Sequence, residues 1–368
     1  MKIGIPKEIK DNEGRVALTP AGAASLSARG HQVCVQAGAG AGSGFSDADY
    51  ASAGARLGTA EEAWGADLVV KVKEPLESEY GYLKNQLVFT YFHLAGVPRS
   101  LTEALLAGKT SAIAYETLED AAGRLPLLAP MSAVAGNMAA QVGAQYLSGT
   151  YGGSGVQLGE VLGVRHGKVL IIGDGVVGIH AARSARGLGA QVAVAGLDAE
   201  KGTWMRREIA DDIEFFHSEP EAVGRRVADS DLVVGAVLRK GAKADWVVTE
   251  PMVRSMRPGS VIVDVSIDQG GCIETSRPTS HSEPVYGLHG VTHYCVTNMP
   301  GAYPRTSTLA LTTATLPYVT RLADKGLDLL REDAGIGRAL NTYEGHLTCL
   351  PAAEALGMTA HYRDLAAL

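Results

Sequence analysis

The sequence predicts an α/β protein with two largely parallel sheet systems, one on either side of a long buried helix. Two observations carry this. Short apolar or β-branched runs alternate with longer helix-like segments along most of the chain, the order that βαβ units impose. Glycine is abundant, 45 of 368 residues, yet it is scattered among the periodic segments. It therefore punctuates many short turns instead of forming a low-complexity tract.

The first strand-like runs are "KIGI", "QVCVQ", "DLVVKVK", "LVFTYFH" and "SAIAYE", within about the first 125 residues. Between them, "LTPAGAASLSARG" carries helix punctuation, with Thr19 at the N-cap, Pro20 in the first turn and Gly30 past the end. The Ala, Met, Leu and Val spacing of "LLAPMSAVAGNMAAQVGAQYL" reads as a long buried helix. A second group follows, "KVLIIG", "QVAVAG", "DLVVGAV", "SVIVDVS" and "THYCV", ending near residue 300. After residue 303, "TSTLALTTATLPYVTRLADKG" and the remainder read mainly as helix. If that terminal segment returns to the first group, the first domain is discontinuous, residues 1–127 plus 304–368, around a second of residues 128–303. A cleft between two such domains is the expected ligand site.

Composition narrows the function classes. Apolar residues make up 46% and charged residues 20%, an ordinary balance for a soluble globular chain. A net charge of −7 argues against a nucleic-acid or anionic-membrane surface. No run approaches the ~20 apolar residues that span a bilayer, and "MKIGIPKEIK" reads as a first strand, not a signal peptide. A cytoplasmic location is expected. Cys34, Cys272, Cys295 and Cys349 are scattered, with no CxxC pair, and read as buried thiols. His289 and His293 in "HGVTH" imitate a two-histidine metal face, but Gly290, Val291 and Thr292 suit a turn into a strand and no third ligand is apparent. No metal is expected.

The most specific motif is "IIGDGVVG". Gly173, Gly175 and Gly178 follow the apolar run "KVLII" and open the helix-like "VVGIHAARSARGLGA". In a dinucleotide-binding loop the first glycine makes the tight turn and the second admits the pyrophosphate. The third lets helix and strand pack closely, and the helix N-terminus faces the phosphates. Two details depart from the pattern. Asp174 puts a negative charge in the loop, tolerable only if its side chain points away. The acid expected about 20 residues on, to hold the ribose hydroxyls, is Gly196, with Asp198 two residues later. Asp198 reaches a ribose if the loop bends. Equally, its displacement leaves room for a 2′-phosphate, with Lys201, Arg206 or Arg207 as partners. The reading favours NAD and keeps NADP open.

Four polar residues stand in apolar or glycine-marked settings. Arg15 lies in "NEGRVALTP", entering a helix, and offers a bidentate fork to a carboxylate. Lys73 ends "LVVKVK", His93 ends "LVFTYFH", and Asp268 follows "VIVDVSI". Titratable groups at the ends of parallel strands are where α/β folds place their sites. A solvated lysine, a core histidine and a turn-capping aspartate are the bland alternatives, and spacing alone does not bring the four together.

With these residues in view, the chain resembles the alanine dehydrogenase family. The likeness is collinear through "IGIPKEIKDNEGRVALTP", "VVKVKEP", "FTYFHLA", "LPLLAPMSAVAG", the glycine loop, "DVSIDQGGCIETSRPTSHSEPVY" and "HYCVTNMPGAYPRTST". The resemblance implies reversible oxidative deamination of L-alanine to pyruvate and ammonium with NAD, in an enzyme that forms hexamers or dimers. It puts Arg15 and Lys73 on the substrate carboxylate and carbonyl, His93 on the reacting oxygen, and Asp268 as the acid/base group. It implies an α/β fold of two Rossmann-like domains with parallel sheets, joined by long helices, and makes the first domain the substrate domain. It lines the cofactor, in the second, with Ser132, Gly173, Gly175, Val176, Val177, Gly178, Ser218, Val237, Leu238 and Asn298, beside Asp198 and Lys201.

The surroundings depart from the family at Ala133, Asn137, Gly196, Arg239, Lys240 and Tyr303. These changes imply a member whose cofactor preference or substrate has drifted, to another small 2-oxo acid, amino acid or imine, with NADPH as one option. Two further readings are open. A transhydrogenase nucleotide-binding subunit resembles the same family but predicts no histidine at position 93. A silent nucleotide sensor predicts cofactor binding without turnover.

Overall fold

The computed structural model describes residues 1–238 and 245–367. They form two compact units, one from residues 1–131 and 301–367, the other from residues 132–238 and 245–300.

The first unit opens with β1 (Lys2–Ile5), β2 (Gln32–Gln36), β3 (Arg56–Gly58), β4 (Leu68–Val70), β5 (Leu87–Thr90) and β6 (Ser111–Ala114). They lie in the order β6-β5-β4-β1-β2-β3, and all pair in parallel. The chain runs outward from β1 to β3 and then crosses back to β4. The strand order thus reverses between β1 and β4, the point at which α/β sheets open a crevice beyond their carboxyl ends. Every residue of β4, β5 and β6 is buried, as strands covered on both faces must be. The helix Pro20–Ala28 is capped by the Thr19 side chain, which accepts from Gly22 N, and Gly30 beyond it takes φ 86°. Gly4 lies so close to the helix Ala60–Trp64 that a Cβ there would overlap the Ala63 carbonyl.

The helix Ala129–Leu147 leads into the second unit. A small antiparallel ribbon, β7 (Glu160–Val161) and β8 (Val164–Arg165), precedes the main sheet. That sheet holds β9 (Lys168–Ile172), β10 (Gln191–Gly196), β11 (Glu214–His217), β12 (Leu232–Gly235), β13 (Val261–Asp264), β14 (Val285–Leu288) and β15 (Val291–Tyr294). Their order is β11-β10-β9-β12-β13-β15-β14, parallel except for β14. Here the order reverses between β9 and β12. Apolar side chains of these strands pack on both faces, Val169, Ile171, Val194, Leu232 and Val234 on one, Leu170, Ile172, Val233 and Ile262 on the other.

The 22-residue helix Pro304–Lys325 starts the return to the first unit. The remainder is mainly helical, as expected, in short α and 3-10 segments, but it also adds two strands that no periodicity announced. β16 (Leu340–Tyr343) and β17 (His346–Leu347) extend the first sheet antiparallel beyond β6. "LNTY" is a short run with one β-branched and one aromatic residue, and Glu344 and Gly345, at φ 46° and 84°, make the hairpin turn.

Gly4→Ala should cost the first unit at least about 2 kcal/mol, because strand and helix backbone must part to admit the methyl. Denaturant titration against the native chain reads the loss.

Candidate active site

In the first unit two of the site candidates follow neighbouring strands, β4 beside the reversal and β5 next to it. β4 and β5 end at Val70 and Thr90, so Lys73 and His93 each lie three residues past a strand rather than on its last residue. The two segments remain tied. Tyr91 N donates to Val72 O at 3.3 Å, and the Thr90 hydroxyl donates to Lys73 O at 3.0 Å. Lys73 is buried, its Nζ 3.7 Å from Glu74 Oε2, while Glu74 Oε1 takes Lys10 at 2.6 Å. Burial works against the Glu74 charge, but the two lysines prevail and hold its carboxyl below the usual range.

His93 takes a left-handed conformation, φ 48° and ψ 41°. Such backbone in a non-glycine residue persists only when its surroundings enforce it, and it clusters at functional sites. The enforcing group is Glu116, whose carboxylate accepts from His93 N at 2.6 Å and Phe92 N at 3.2 Å. The imidazole stacks on the Tyr91 ring, 5.6 Å between centroids and 9° between planes. Tyr91 in turn donates to Leu127 O at 2.6 Å and lies within electrostatic reach of Arg15.

Arg15 is buried, and Glu13 takes two of its donors, Nε at 2.7 Å and Nη2 at 2.5 Å. Nη1 donates to the Met131 thioether at 3.2 Å. Burial opposes the guanidinium charge, and the Glu13 carboxylate outweighs it, raising the Arg15 pKa. Beside it, Glu8 accepts from Val72 N at 2.7 Å and stands 3.2 Å from Lys71 Nζ, which also binds Glu79 at 3.0 Å. All three side chains are buried. Tyr91 thus stands between Arg15 and His93, while Lys73 is tied to the same strand end through the Thr90 hydroxyl.

In the second unit the glycine loop turns exactly where its spacing predicts. Gly173 takes φ 118°, and a Cβ there would strike the Ala236 carbonyl beyond β12. A Cβ at Gly178 would overlap Gly173 O. Gly175 precedes the helix Val176–Leu188 with no side-chain cap, and nothing stands within 4 Å of where its Cβ would be. Val176 is exposed and Val177 half-buried. Val177 O packs against Gly136 of the helix that carries Ser132, and Asn137 on that helix accepts from the Ser184 hydroxyl at 2.9 Å.

Asp174 does point out of the loop. Its Oδ2 accepts from Leu197 N and Asp198 N, each at 3.0 Å, and Lys201 Nζ lies 3.4 Å from Oδ1. Asp198 caps the helix Ala199–Glu208, accepting from Glu200 N at 2.9 Å. Arg207 pairs with Glu208 at 2.7 Å, and Arg206 reaches Thr203 at 3.5 Å. Ser218 N donates to Gly196 O.

Asp268 is exposed, on the turn Val265–Gln269 that Gly270 closes at φ 90°. Asp264, fully buried, shapes that turn. It accepts from Ser266 N at 3.0 Å, Cys272 N at 3.1 Å and Ile273 N at 3.3 Å. Burial pushes its carboxyl up against those bonds. The Ser266 hydroxyl donates to Val237 O at 2.8 Å, which ties the Asp268 turn to the segment after β12, where Leu238 is exposed. Asn298 is buried at φ 67°, and its carbonyl accepts from His281. His289 pairs with Glu250 at 2.8 Å, while His293 bonds Thr275 at 2.8 Å and stacks on Tyr286. Among the described residues no group of three metal-ligating side chains occurs. Arg239 and Lys240 lie outside the described residues.

Sequence reasoning missed Glu13, Glu116, Asp264 and the placement of Asp174. Each is a carboxylate one to four residues from a strand end or from a candidate residue, a proximity that offers a signal without a partner.

Fold and site define a nucleotide-binding α/β protein. The chain belongs to the alanine dehydrogenase/PNT family, whose N-terminal domain model matches residues 4–135 and whose C-terminal domain model matches residues 139–350. It is 51% identical to an alanine dehydrogenase of Mycolicibacterium smegmatis over 94% of each chain. Against the alanine dehydrogenase of Geobacillus stearothermophilus it is 50% identical, over 100% of this chain and 99% of that one. A solved L-alanine dehydrogenase matches with TM-score 0.92 at 47% identity, over 97% of this chain and 99% of that one. A transhydrogenase from Sinorhizobium meliloti matches with TM-score 0.79 at 26% identity, over 95% and 99%.

Two outcomes follow from these contacts. Glu116→Ala strands two backbone donors and should cost about 1–3 kcal/mol, read by denaturant titration, with Glu116→Gln recovering part of it. His293, buried, is pushed down to about 4. Its neutral form is the one the fold accepts, so its contribution is complete above the unfolded value near 6.5 and is lost as pH falls toward 4. Unfolding free energies of the native chain and His293→Gln should therefore converge by about 3 kcal/mol across that window.

Proposed function

We propose that this chain catalyses the reversible oxidative deamination of L-alanine with NAD. Alanine, water and NAD⁺ give pyruvate, ammonium, NADH and a proton. The observation that carries the reading is the end-to-end likeness, at 50% identity, to an alanine dehydrogenase. The glycine loop fits the dinucleotide. It leaves open space over Gly175 and an uncapped helix N-terminus behind it, the arrangement that receives a pyrophosphate. Gly173, Gly175, Val176, Val177, Gly178, Ser132, Asp198, Lys201, Ser218, Val237, Leu238 and Asn298 are the residues assigned to it.

Bound NAD supplies the hydride acceptor for the substrate Cα. Everything else falls to side chains. Arg15 and Lys73 supply positive charge for the substrate carboxylate and the oxygen that becomes the carbonyl. Glu13 and Glu74 fix those two cations in place, so little reorganisation is left for the reaction. His93, held by Glu116 and stacked on Tyr91, hydrogen-bonds the reacting oxygen and exchanges its proton. Asp268 takes a proton from the water that adds to the imine carbon and returns it as ammonium leaves. No helix among the described residues is long and apolar enough to cross a membrane. We assign the chain to the cytoplasm as a homo-oligomer, hexamer or dimer, with small molecules as its ligands and no nucleic acid.

Initial rates with pyruvate, ammonium and NADH test the reading, beside a panel of other 2-oxo acids. Turnover fastest with pyruvate is expected; no turnover with pyruvate overturns it. His93→Asn, which keeps a residue tolerant of the left-handed backbone, and Asp268→Asn should each lower kcat by at least about 100-fold, with the unfolding midpoint little changed.

A further inference from the structure

The end of β10 lacks the acid that dinucleotide folds place there to hold the ribose hydroxyls. The residue is Gly196, and the space its side chain would need is taken. A Cβ at Gly196 would lie 2.6 Å from Asp174 Oδ2 and 2.5 Å from the Phe215 ring. A carboxylate is therefore present at the end of β10 after all. It comes from the glycine loop instead of the strand.

The contacts keep it there. Oδ2 accepts the two backbone donors that follow Gly196, from Leu197 and Asp198. Oδ1 makes only a long contact, 3.4 Å, to Lys201. An acid at position 196 would add a second carboxylate in the same space, so Gly196 and Asp174 are a matched pair.

We propose that Asp174 is the residue by which this chain selects NAD over NADP. The inference rests on the dinucleotide reading above. A carboxylate accepts from ribose hydroxyls and repels a 2′-phosphate. The charges around it agree. Asp174 and Asp198 outnumber Lys201, Lys201 is itself turned to Asp174, and Arg207 is paired with Glu208. Two of the three basic residues of this helix are thus engaged by carboxylates, and Arg206 reaches the Thr203 hydroxyl.

The test is the dissociation constants of NADH and NADPH, by calorimetry, for the native chain and variants. The native chain should bind NADH at least about tenfold more tightly than NADPH. Asp174→Asn removes the charge yet keeps an oxygen for the Leu197 and Asp198 donors. It should bring the two constants to within about threefold, chiefly by tightening NADPH, with the unfolding midpoint held. If Asp174→Asn proves too unstable to measure, Asp174→Ser, uncharged and shorter, should likewise bring the two constants to within about threefold. A native preference for NADPH overturns the proposal, as does an unchanged NADH-to-NADPH ratio in Asp174→Asn or, where that variant cannot be measured, in Asp174→Ser. Native protein that binds neither nucleotide overturns the dinucleotide reading itself, an outcome distinct from those three.

Discussion

Where a parallel strand ends, the backbone leaves its ladder while neighbouring segments still press on it, and its N–H groups need acceptors. This chain answers with carboxylates at four such places. Glu8, beyond β1, accepts from Val72 beyond β4, and Glu116, beyond β6, accepts from Phe92 and His93 beyond β5. Asp174, beyond β9, accepts from Leu197 and Asp198 beyond β10. Asp264, at the end of β13, accepts from three groups of its own following loop. Every segment that carries a candidate chemical group is held by one of them or lies beside one. An ionised carboxylate accepts several such bonds at once, and those bonds are stronger than neutral ones.

The arrangement has an electrostatic cost that the fold meets locally. Burial raises the carboxyl of Glu8, and Lys71 beside it lowers it again, while burial of Lys71 is countered by Glu8 and Glu79. Arg15 stands in the same relation to Glu13. Removing one member of such a set leaves an uncompensated charge, which is far more destabilising than the set is stabilising. Arg15, the cation proposed for the substrate carboxylate, is thus fixed by Glu13 before any substrate arrives. That is the condition under which charge stabilises a transition state without reorganising.

The legible and illegible parts of the fold divide along burial. β4, β9, β12 and β13 are covered on both faces and read as continuous apolar runs, so the sequence announces them. β3 and β11 lie at sheet edges with exposed, polar positions, and β16 and β17 are short and reached only after a helix. No periodicity marks them. In the site, the glycine loop was legible because its function is local, with turn, open space and close packing within six residues. Lys73 and His93 were legible as types near strand ends. The carboxylates were not, because their meaning lies in partners such as Val72 for Glu8, 64 residues away. Asp174 shows the limit most plainly. Read along the chain it is a charge that has to be tolerated; beside Gly196 it is the acid that the strand lacks.

The position of a functional charge in a doubly wound sheet is a place in space before it is a place in sequence. The ends of β9 and β10 are neighbours because those strands pair in register, Ile172 beside Ala195. A side chain from either strand's following loop therefore reaches the same volume. Asp174 needs one condition, that residue 196 have no Cβ, and Gly196 meets it. Phe215 on β11 needs the same, since its ring also fills the space over Gly196 and packs on Gly202. A single glycine thus serves the packing of β11 and the delivery of the acid together. A side chain there would disturb both at once.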